Sequence, residues 1–324
     1  MEDDVTTVLA VDGNSLAHRA FHASNPDERS GPWMCDMVVR LIASVWWHGP
    51  FDAVVVGFDH EVNDRKLMDP GYKAGRSEKD PVLEEELAVL PEQLAEVGFE
   101  VVCVEGLEAD DVLASVATSA TERGWRTTLL SSDRDLTAQV NDNVTLLRPR
   151  GTMSDLIVTD PARVREEYGI EPHQYVDFAA MRGDASDGLR GVHGIGPKIA
   201  ARLLRDHGTV EELLRNLHHL HPHHEAKLRA GRDEIDRNLM LMTPITTIEV
   251  DLDAAVERGL DVDQVEAALV ALDLGRAAGT MRRMMSEPPP PPLPPPPDDA
   301  PEEVVVVRDR PIEPALAGEQ DSLF

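Results

Sequence analysis

The stretch VEGLEADDVLASVA, Val104 to Ala117, sets Glu108, Asp110 and Asp111 side by side at the head of an apolar helical pattern. Further acids recur in short motifs: Asp12 in AVDGNS, Asp59 in GFDHEV, Asp133 and Asp135 in LLSSDRDL, Asp184 and Asp187 in GDASDG. Taken singly, each reads as a helix N-cap, a turn aspartate or part of a solvated face. Gathered at one rim, they would raise one another's pKa and oppose folding unless cations neutralised them. Oxygen donors without His or Cys in these motifs point to Mg2+ or Mn2+ rather than zinc. Two such ions about 3.5–4 Å apart form a clamp for in-line phosphoryl displacement, one activating water and the other holding the leaving oxygen.

These acids converge only if the fold brings them to one edge. Near-continuous, β-branched apolar runs occur at Thr7–Val11, Ala53–Phe58, Val101–Val104, Thr127–Leu130 and Val144–Leu147, the pattern of parallel strands covered on both faces. Trp33–Trp47, Val82–Val97 and Asp110–Arg123 carry helical spacing between them. The alternation predicts an open, mostly parallel α/β sheet flanked by helices. Asp12, Asp59, the Glu108–Asp111 group and Asp133 with Asp135 then follow the ends of four different strands, where such a sheet forms its ligand crevice. Asp184 and Asp187 add a pair from outside the sheet. From about Pro161 to Leu274 the pattern is helical with loops. After Met285, SEPPPPPLPPPPDDAPEE predicts an extended polyproline linker, of which Pro288–Pro297 would span roughly 30 Å.

Composition excludes several classes. The 324 residues carry 31 Lys+Arg against 60 Asp+Glu, a formal net charge of −29. Nonspecific attraction to nucleic acid is therefore weak, a nucleic-acid partner must meet a local basic patch, and salt should weaken that binding steeply. Cys35 and Cys103 stand in no C-x-x-C arrangement, which argues against a disulfide framework or a thiolate zinc site. MEDDVTTVLAVDG is acidic and runs straight into a strand, unlike a signal peptide, and no apolar run is long enough to span a bilayer. A cytoplasmic protein is expected.

In order and spacing, AVDGNSLAHRAFHA, GFDHEVNDRKLMDPGYKAGR, GLEADDVLA, SSDRDL and GDASDGLRGVHGIGPKIAARLL resemble the 5′-nuclease family. That family comprises the nuclease domain of bacterial DNA polymerase I and its stand-alone relatives, the flap endonucleases and 5′–3′ exonucleases. The likeness implies a PIN-like nuclease core over residues 1–160 with a helical arch at about 70–97, then a helix-hairpin-helix DNA-binding subdomain over 161–285. A proline-rich linker at 286–319 and a terminal peptide at 320–324 complete the expected layout. All nine acidic positions of the family pattern are occupied. By resemblance, Asp12, Asp59, Glu108 and Asp110 surround the water-activating ion, Asp133, Asp135 and Asp184 hold a second, and Asp111 and Asp187 support through water.

PGYKAGRSEKD concentrates Lys73, Arg76 and Lys79 in a chain poor in lysine. The segment reads either as a solvated loop or, by resemblance, as the arch base from which Lys73 and Arg76 reach the scissile phosphate. Tyr72 either stacks on a terminal base or packs structurally. Arg19 matches the family's phosphate-binding arginine, and His18 beside it replaces a usual tyrosine. Arg65 matches a recurrent family arginine or serves a surface salt bridge. In GVHGIGPKIAARLL, Gly191, Gly194 and Gly196 allow close approach of a phosphate and Pro197 opens a helix. Lys198, Arg202 and Arg205 lie near one face of that helix. The family uses this element to grip duplex phosphates, often with a monovalent cation such as K+. Gly188 and Arg190 replace a usual Asn and Pro.

NLHHLHPHHEAK reads as a solvated connection rather than a transition-metal site. At the end of the chain, Gln320, Leu323 and Phe324 resemble the peptide with which bacterial replication enzymes dock into the sliding clamp. The expected protein is a monomeric, nucleoid-associated 5′ nuclease without an attached polymerase domain, acting on DNA with a 5′ flap, nick or 5′ end, including RNA-primed strands. The competing readings are a noncatalytic DNA-binding or clamp-associated scaffold and a PIN-type ribonuclease.

Overall fold

In the computed structural model, which describes residues 5–76, 78–150 and 155–287, every predicted apolar run lies in one six-stranded sheet. Its strands are β1 (Thr7–Asp12), β2 (Ala53–Phe58), β3 (Glu100–Cys103), β4 (Arg126–Leu130), β5 (Val144–Pro149) and β6 (Leu156–Thr159). Their order is β3-β2-β1-β4-β5-β6. The first five are parallel, while β6 runs antiparallel to β5. The chain winds outward from β1 to β3, then returns to the other side of β1 with β4. That reversal opens a crevice at the carboxyl ends of β1 and β4, where Asp12 ends β1 and Asp133 follows β4. Strand β6 was not expected, since LIVT is short and its Val158 is exposed at the sheet edge.

Helices α1 (Gly13–Ala23), α2 (Trp33–Ser44), α3 (Asp64–Met68), α4 (Pro81–Glu96) and α5 (Ala109–Glu122) fall among the first four strands. After β6 come α6 (Pro161–Tyr168), α7 (Tyr175–Arg182), α8 (Pro197–His207), α9 (Val210–Arg215) and α10 (Pro222–Ala230). The series ends with α11 (Arg232–Met242), α12 (Leu252–Arg258), α13 (Val262–Ala271) and α14 (Gly275–Ser286). Between α7 and α8 a short hairpin pairs β7 (Gly183–Asp184) with β8 (Leu189–Arg190).

The two-residue alternation of β1 builds a core on each face of the sheet. Leu9 and Val11 join Leu16, Val38, Ile42 and Leu90 on one side; Val8 and Ala10 join Leu113, Val116, Phe178 and Leu204 on the other. Leu269, Met281 and Met284 of α13 and α14 belong to the first of these cores. The expected split at residue 160 therefore does not separate two cores: the helical second half covers both faces of the sheet, and residues 5–287 fall within one compact unit. The expected arch also narrows. Leu83, Leu90 and Leu94 bury one side of α4 in the first core. Apart from Ser286 and Glu287, the expected linker and terminal peptide lie outside the described residues.

Gly57 shows how the sheet positions the acids. A Cβ there would meet Leu113 Cδ1 and Val112 Cβ at 3.0 Å and the Ala109 carbonyl at 3.2 Å. The bare backbone thus lets the first turn of α5 lie directly on β2, holding Asp110 at the crevice. A Gly57→Val chain should lose about 1–3 kcal/mol in urea unfolding through overpacking. A loss no greater than at an exposed strand position would show that α5 does not depend on this close approach.

Candidate active site

The crevice is a cleft of 1230 Å³ whose walls include Asp12, Asp59, Asp110, Asp133 and Asp184, together with Arg19, Lys73, Arg76 and Lys79. The N-cap reading of Asp12 is correct as far as it goes. Its Oδ1 accepts from the Ser15 N–H at 2.8 Å, capping α1, while Oδ2 accepts from Ser131 Oγ at 2.7 Å. Asp59 is tied at both ends: its N–H donates to Asn14 Oδ1 at 2.8 Å, and its Oδ1 accepts from the Ala109 N–H at 2.9 Å. The Asp135 N–H donates to Asp133 Oδ1 at 2.9 Å. Asn14, Ser15 and Ser131 are thus supports of the site that went unnoticed in the sequence. Their only signal was adjacency, in DGNS and SSD.

Burial and crowding act in the same direction on the inner acids. Burial, then Asp59, pushes Asp12 up to about 7; burial, then Asp133, Asp184 and Asp187, does the same to Asp135, to about 7. Asp110 is raised well above the usual carboxylate range by burial, Asp133 and Asp12. Its Oδ1 is shielded from solvent and makes no hydrogen bond.

The outer acids are already paired. Asp111 is fully buried, and Arg65 grips it through two bonds of 2.6 and 2.7 Å. Asp111 also accepts the N–H groups of Glu108 and Ile245 at 3.1 and 2.8 Å. Its oxygens are consumed by these partners, which corrects the expectation that it supports an ion through water. Arg65 is correspondingly no surface residue: it is 9 % exposed and also donates to the Leu241 carbonyl at 2.8 Å. Glu108 accepts from Lys73 Nζ at 2.5 Å, Tyr72 Oη at 3.0 Å and Arg65 Nη1 at 3.4 Å. Burial alone would raise Glu108, but Lys73 and Arg65 outweigh it and hold the carboxyl below its ordinary range. Arg76 pairs with Asp187 at 2.7 Å. Tyr72 is buried beside Leu189 and Leu241, so packing, rather than base stacking, is the role the fold assigns it.

Among the described residues, no three His, Cys, Asp or Glu side chains stand arranged to hold a metal ion. Lys73, Arg65 and Arg76 hold Glu108, Asp111 and Asp187 in ion pairs. The donor set still suits a hard divalent cation. It is all carboxylate oxygen, its inner members are raised by burial and by one another, and Asp110 Oδ1 makes no hydrogen bond.

Beyond the cleft, Lys198 and Arg202 project from α8 into solvent, and Arg205 donates to the Gly169 carbonyl at 3.3 Å. Gly196 is the N-cap of α8, with open space around it, and Gly194 has φ +76°. Gly191 is required by the fold itself, because a Cβ there would sit 2.0 Å from the Arg182 carbonyl oxygen. Arg182, which sequence reasoning overlooked, lines the cleft 3.6 Å from Asp184.

Two measurements probe this arrangement. Arg65→Met should destabilise the protein by about 3–5 kcal/mol, because it strands a buried carboxylate. Adding Asp111→Leu should recover only part of that, since the Glu108 and Ile245 N–H groups then lose their acceptor; full recovery would contradict the capping role. The second concerns pH. Asp12 and Asp135 lie near 7 in the folded chain against an ordinary 3.8, so between about pH 4 and 7 the folded state binds more protons than the unfolded state. Stability must fall as pH rises through that window. In EDTA, the Tm should drop from about pH 5 to about pH 8, and a Tm that climbs instead would refute the crowding.

Residues 7–169 match the family described as 5'-3' exonuclease, N-terminal resolvase-like domain, and residues 170–265 match 5'-3' exonuclease, C-terminal SAM fold. The chain is 36 % identical over 273 residues to the thermostable DNA polymerase I of Thermus aquaticus, a stretch covering 83 % of this chain and 32 % of that protein. DNA polymerase I of Mycobacterium tuberculosis is 36 % identical over 239 residues, 72 % of this chain and 26 % of the relative. The chain thus spans about a third or less of the length of these relatives. Among solved structures, the T5 D15 protein co-crystallized with metal ions has the same fold, with a TM-score of 0.60 at 23 % identity over 87 % of this chain and 100 % of that one. Human GEN1 in complex with Holliday junction DNA aligns with a TM-score of 0.57 at 15 % identity, over 86 % and 71 %. On sequence, fold and site together, the chain belongs to the 5′-3′ exonuclease family.

Proposed function

We propose that this protein is a metal-dependent, structure-specific 5′–3′ exonuclease and flap endonuclease, hydrolysing phosphodiesters of DNA and of RNA-primed strands during replication and repair. One observation carries the reading: acids from separate segments meet at the switch point of the sheet, raised by burial and by one another, with Asp110 Oδ1 buried and without a hydrogen bond. Such an arrangement is costly to a fold and is useful where positive charge is to be bound. Asp12, Asp59, Glu108 and Asp110 would hold one Mg2+ or Mn2+ ion, and Asp133, Asp135 and Asp184 a second, with Asp187 adjacent. Ions bound there supply an activated water and neutralise charge developing on the scissile phosphate.

The chain's own groups do the rest. Arg19, Arg76 and Lys79 line the cleft and offset the repulsion that a phosphate would meet from the acids. The hairpin through Gly191, Gly194 and Gly196 leads into the N-terminus of α8, whose positive dipole end, with Lys198 and Arg202, would hold duplex phosphates without reading sequence. A K+ ion at this hairpin would share the Gly194 carbonyl with Lys227 Nζ, which donates to it at 2.9 Å. Support for the substrate comes from neighbours of the same fold, one described as a complex of the T5 flap endonuclease with DNA and metal ions. Gln320, Leu323 and Phe324, outside the described residues, would dock into a bacterial sliding clamp, with the proline-rich segment giving reach. The enzyme would work as a monomer at the nucleoid in the cytoplasm; among the described residues no helix is long and apolar enough to cross a membrane.

The test uses 5′-labelled flap DNA, nicked duplex and single-stranded RNA, each with Mg2+, with EDTA, and with Asp133→Ala protein. Flap and nick cleavage should require Mg2+ and fall by about a hundredfold or more in the variant. Preferential cutting of the RNA would indicate a ribonuclease, and no cutting of any substrate would indicate a scaffold.

A further inference from the structure

Lys73 is placed in a way that its proposed contact with a phosphate does not explain. Its side chain is only 9 % exposed, and its ammonium sits on Glu108. Its backbone has φ +55°, a left-handed conformation that non-glycine residues adopt rarely and that persists only where the surroundings impose it. The surroundings do impose it. The Lys73 N–H donates to the Asp187 carbonyl at 2.9 Å, Arg76 binds the Asp187 carboxylate, and Tyr72 Oη donates to Glu108. The turn carrying these residues is therefore tied to acids on two separate elements, the head of α5 and the β7–β8 connection.

Resting on the ion-site reading above, we propose that Lys73 is a built-in counter-ion that competes with a divalent cation for Glu108. An ammonium at 2.5 Å and a divalent cation on the same carboxylate repel each other, so entry of one displaces the other. The competition is confined to Lys73. Arg65, the other cation on Glu108, is anchored by its paired bonds to Asp111 and by the Leu241 and Thr243 carbonyls, whereas the Lys73 ammonium rests on Glu108 and beside the Tyr72 ring, 4.8 Å from its centroid. Asp110, two residues along, keeps an Oδ1 that is buried and makes no hydrogen bond. Lys73 already borders the cleft, so its release frees an ammonium beside the place where a phosphate would lie. Ion binding thus comes first and phosphate engagement by Lys73 second.

The experiment titrates Mn2+ into the EDTA-stripped full chain without DNA, following free Mn2+ by electron paramagnetic resonance. Lys73→Met and Lys73→Gln should each bind Mn2+ roughly tenfold more tightly than the parent chain, as expected for removal of a coupled competitor. Lys66→Met, which removes the same charge from an exposed position on α3, should leave the affinity unchanged. In the unsubstituted protein, Mn2+ should also speed tryptic cleavage after Lys73 and Arg76, a readout that survives if a variant fails to fold. Equal or weaker Mn2+ binding by both Lys73 variants, or trypsin rates indifferent to Mn2+, overturns the counter-ion role while leaving the ion site standing. Absence of Mn2+ binding in every chain overturns both.

Discussion

Asp12, Asp110, Asp133 and Asp135 are crowded together largely out of water at the carboxyl ends of β1 and β4, and their mutual repulsion is what the surrounding structure has to contain. Containment is partial. Backbone N–H groups and the Ser131 hydroxyl satisfy individual oxygens, yet among the described residues neither Asp110 nor Asp135 makes a direct ion pair, Lys73 and Arg182 acting on them only at longer range. Burial and the neighbouring acids hold both carboxyls above the ordinary carboxylate range. A site in that condition is strained toward cations, and it is the strain, more than any preformed coordination shell, that marks it as a place for divalent ions.

Around this inner group stands an outer set of acids whose charge is already met. Asp111 with Arg65 forms a buried, two-pronged pair that also fastens the head of α5 to the segment after α11. Such a pair contributes little net stability but is expensive to break on one side, which suits a part that must hold its geometry beside a repulsive neighbour. Glu108 belongs to both sets. It shares Arg65 with Asp111 and receives Lys73, and so connects the rigid support to the turn that borders the cleft.

The large negative charge bears on how DNA would be met. Much of the chain's arginine is engaged in local pairs, among them Arg215 with Glu211, Arg232 with Asp236 and Arg282 with Glu266. Exposed pairs of this kind add little stability, and they remove positive charge from any long-range field. Under the proposed function, Lys198 and Arg202 on α8 and the cations lining the cleft would supply short-range contacts to a phosphate backbone.

The sequence by itself determined the parallel sheet and the identity of the acids at its edge. β-branched apolar runs and their two-residue alternation are local signals, and an acid directly after a strand must lie at that strand's end. It did not determine what each acid meets. Arg65 and Asp111 are 46 positions apart, and Arg65 and the Leu241 carbonyl 176 apart; contacts of that range leave no trace in spacing. For the same reason Tyr72 read equally as a stacking or a packing residue until the fold closed Leu189 and Leu241 around it. The helical second half looked like a separate subdomain because its own periodicity is complete, but only tertiary packing shows α13 and α14 returning to α2 in the first core. Local pattern therefore decided which groups arrive at the crevice. Long-range packing decided which of them remain uncompensated there, and that is the property on which binding and chemistry depend.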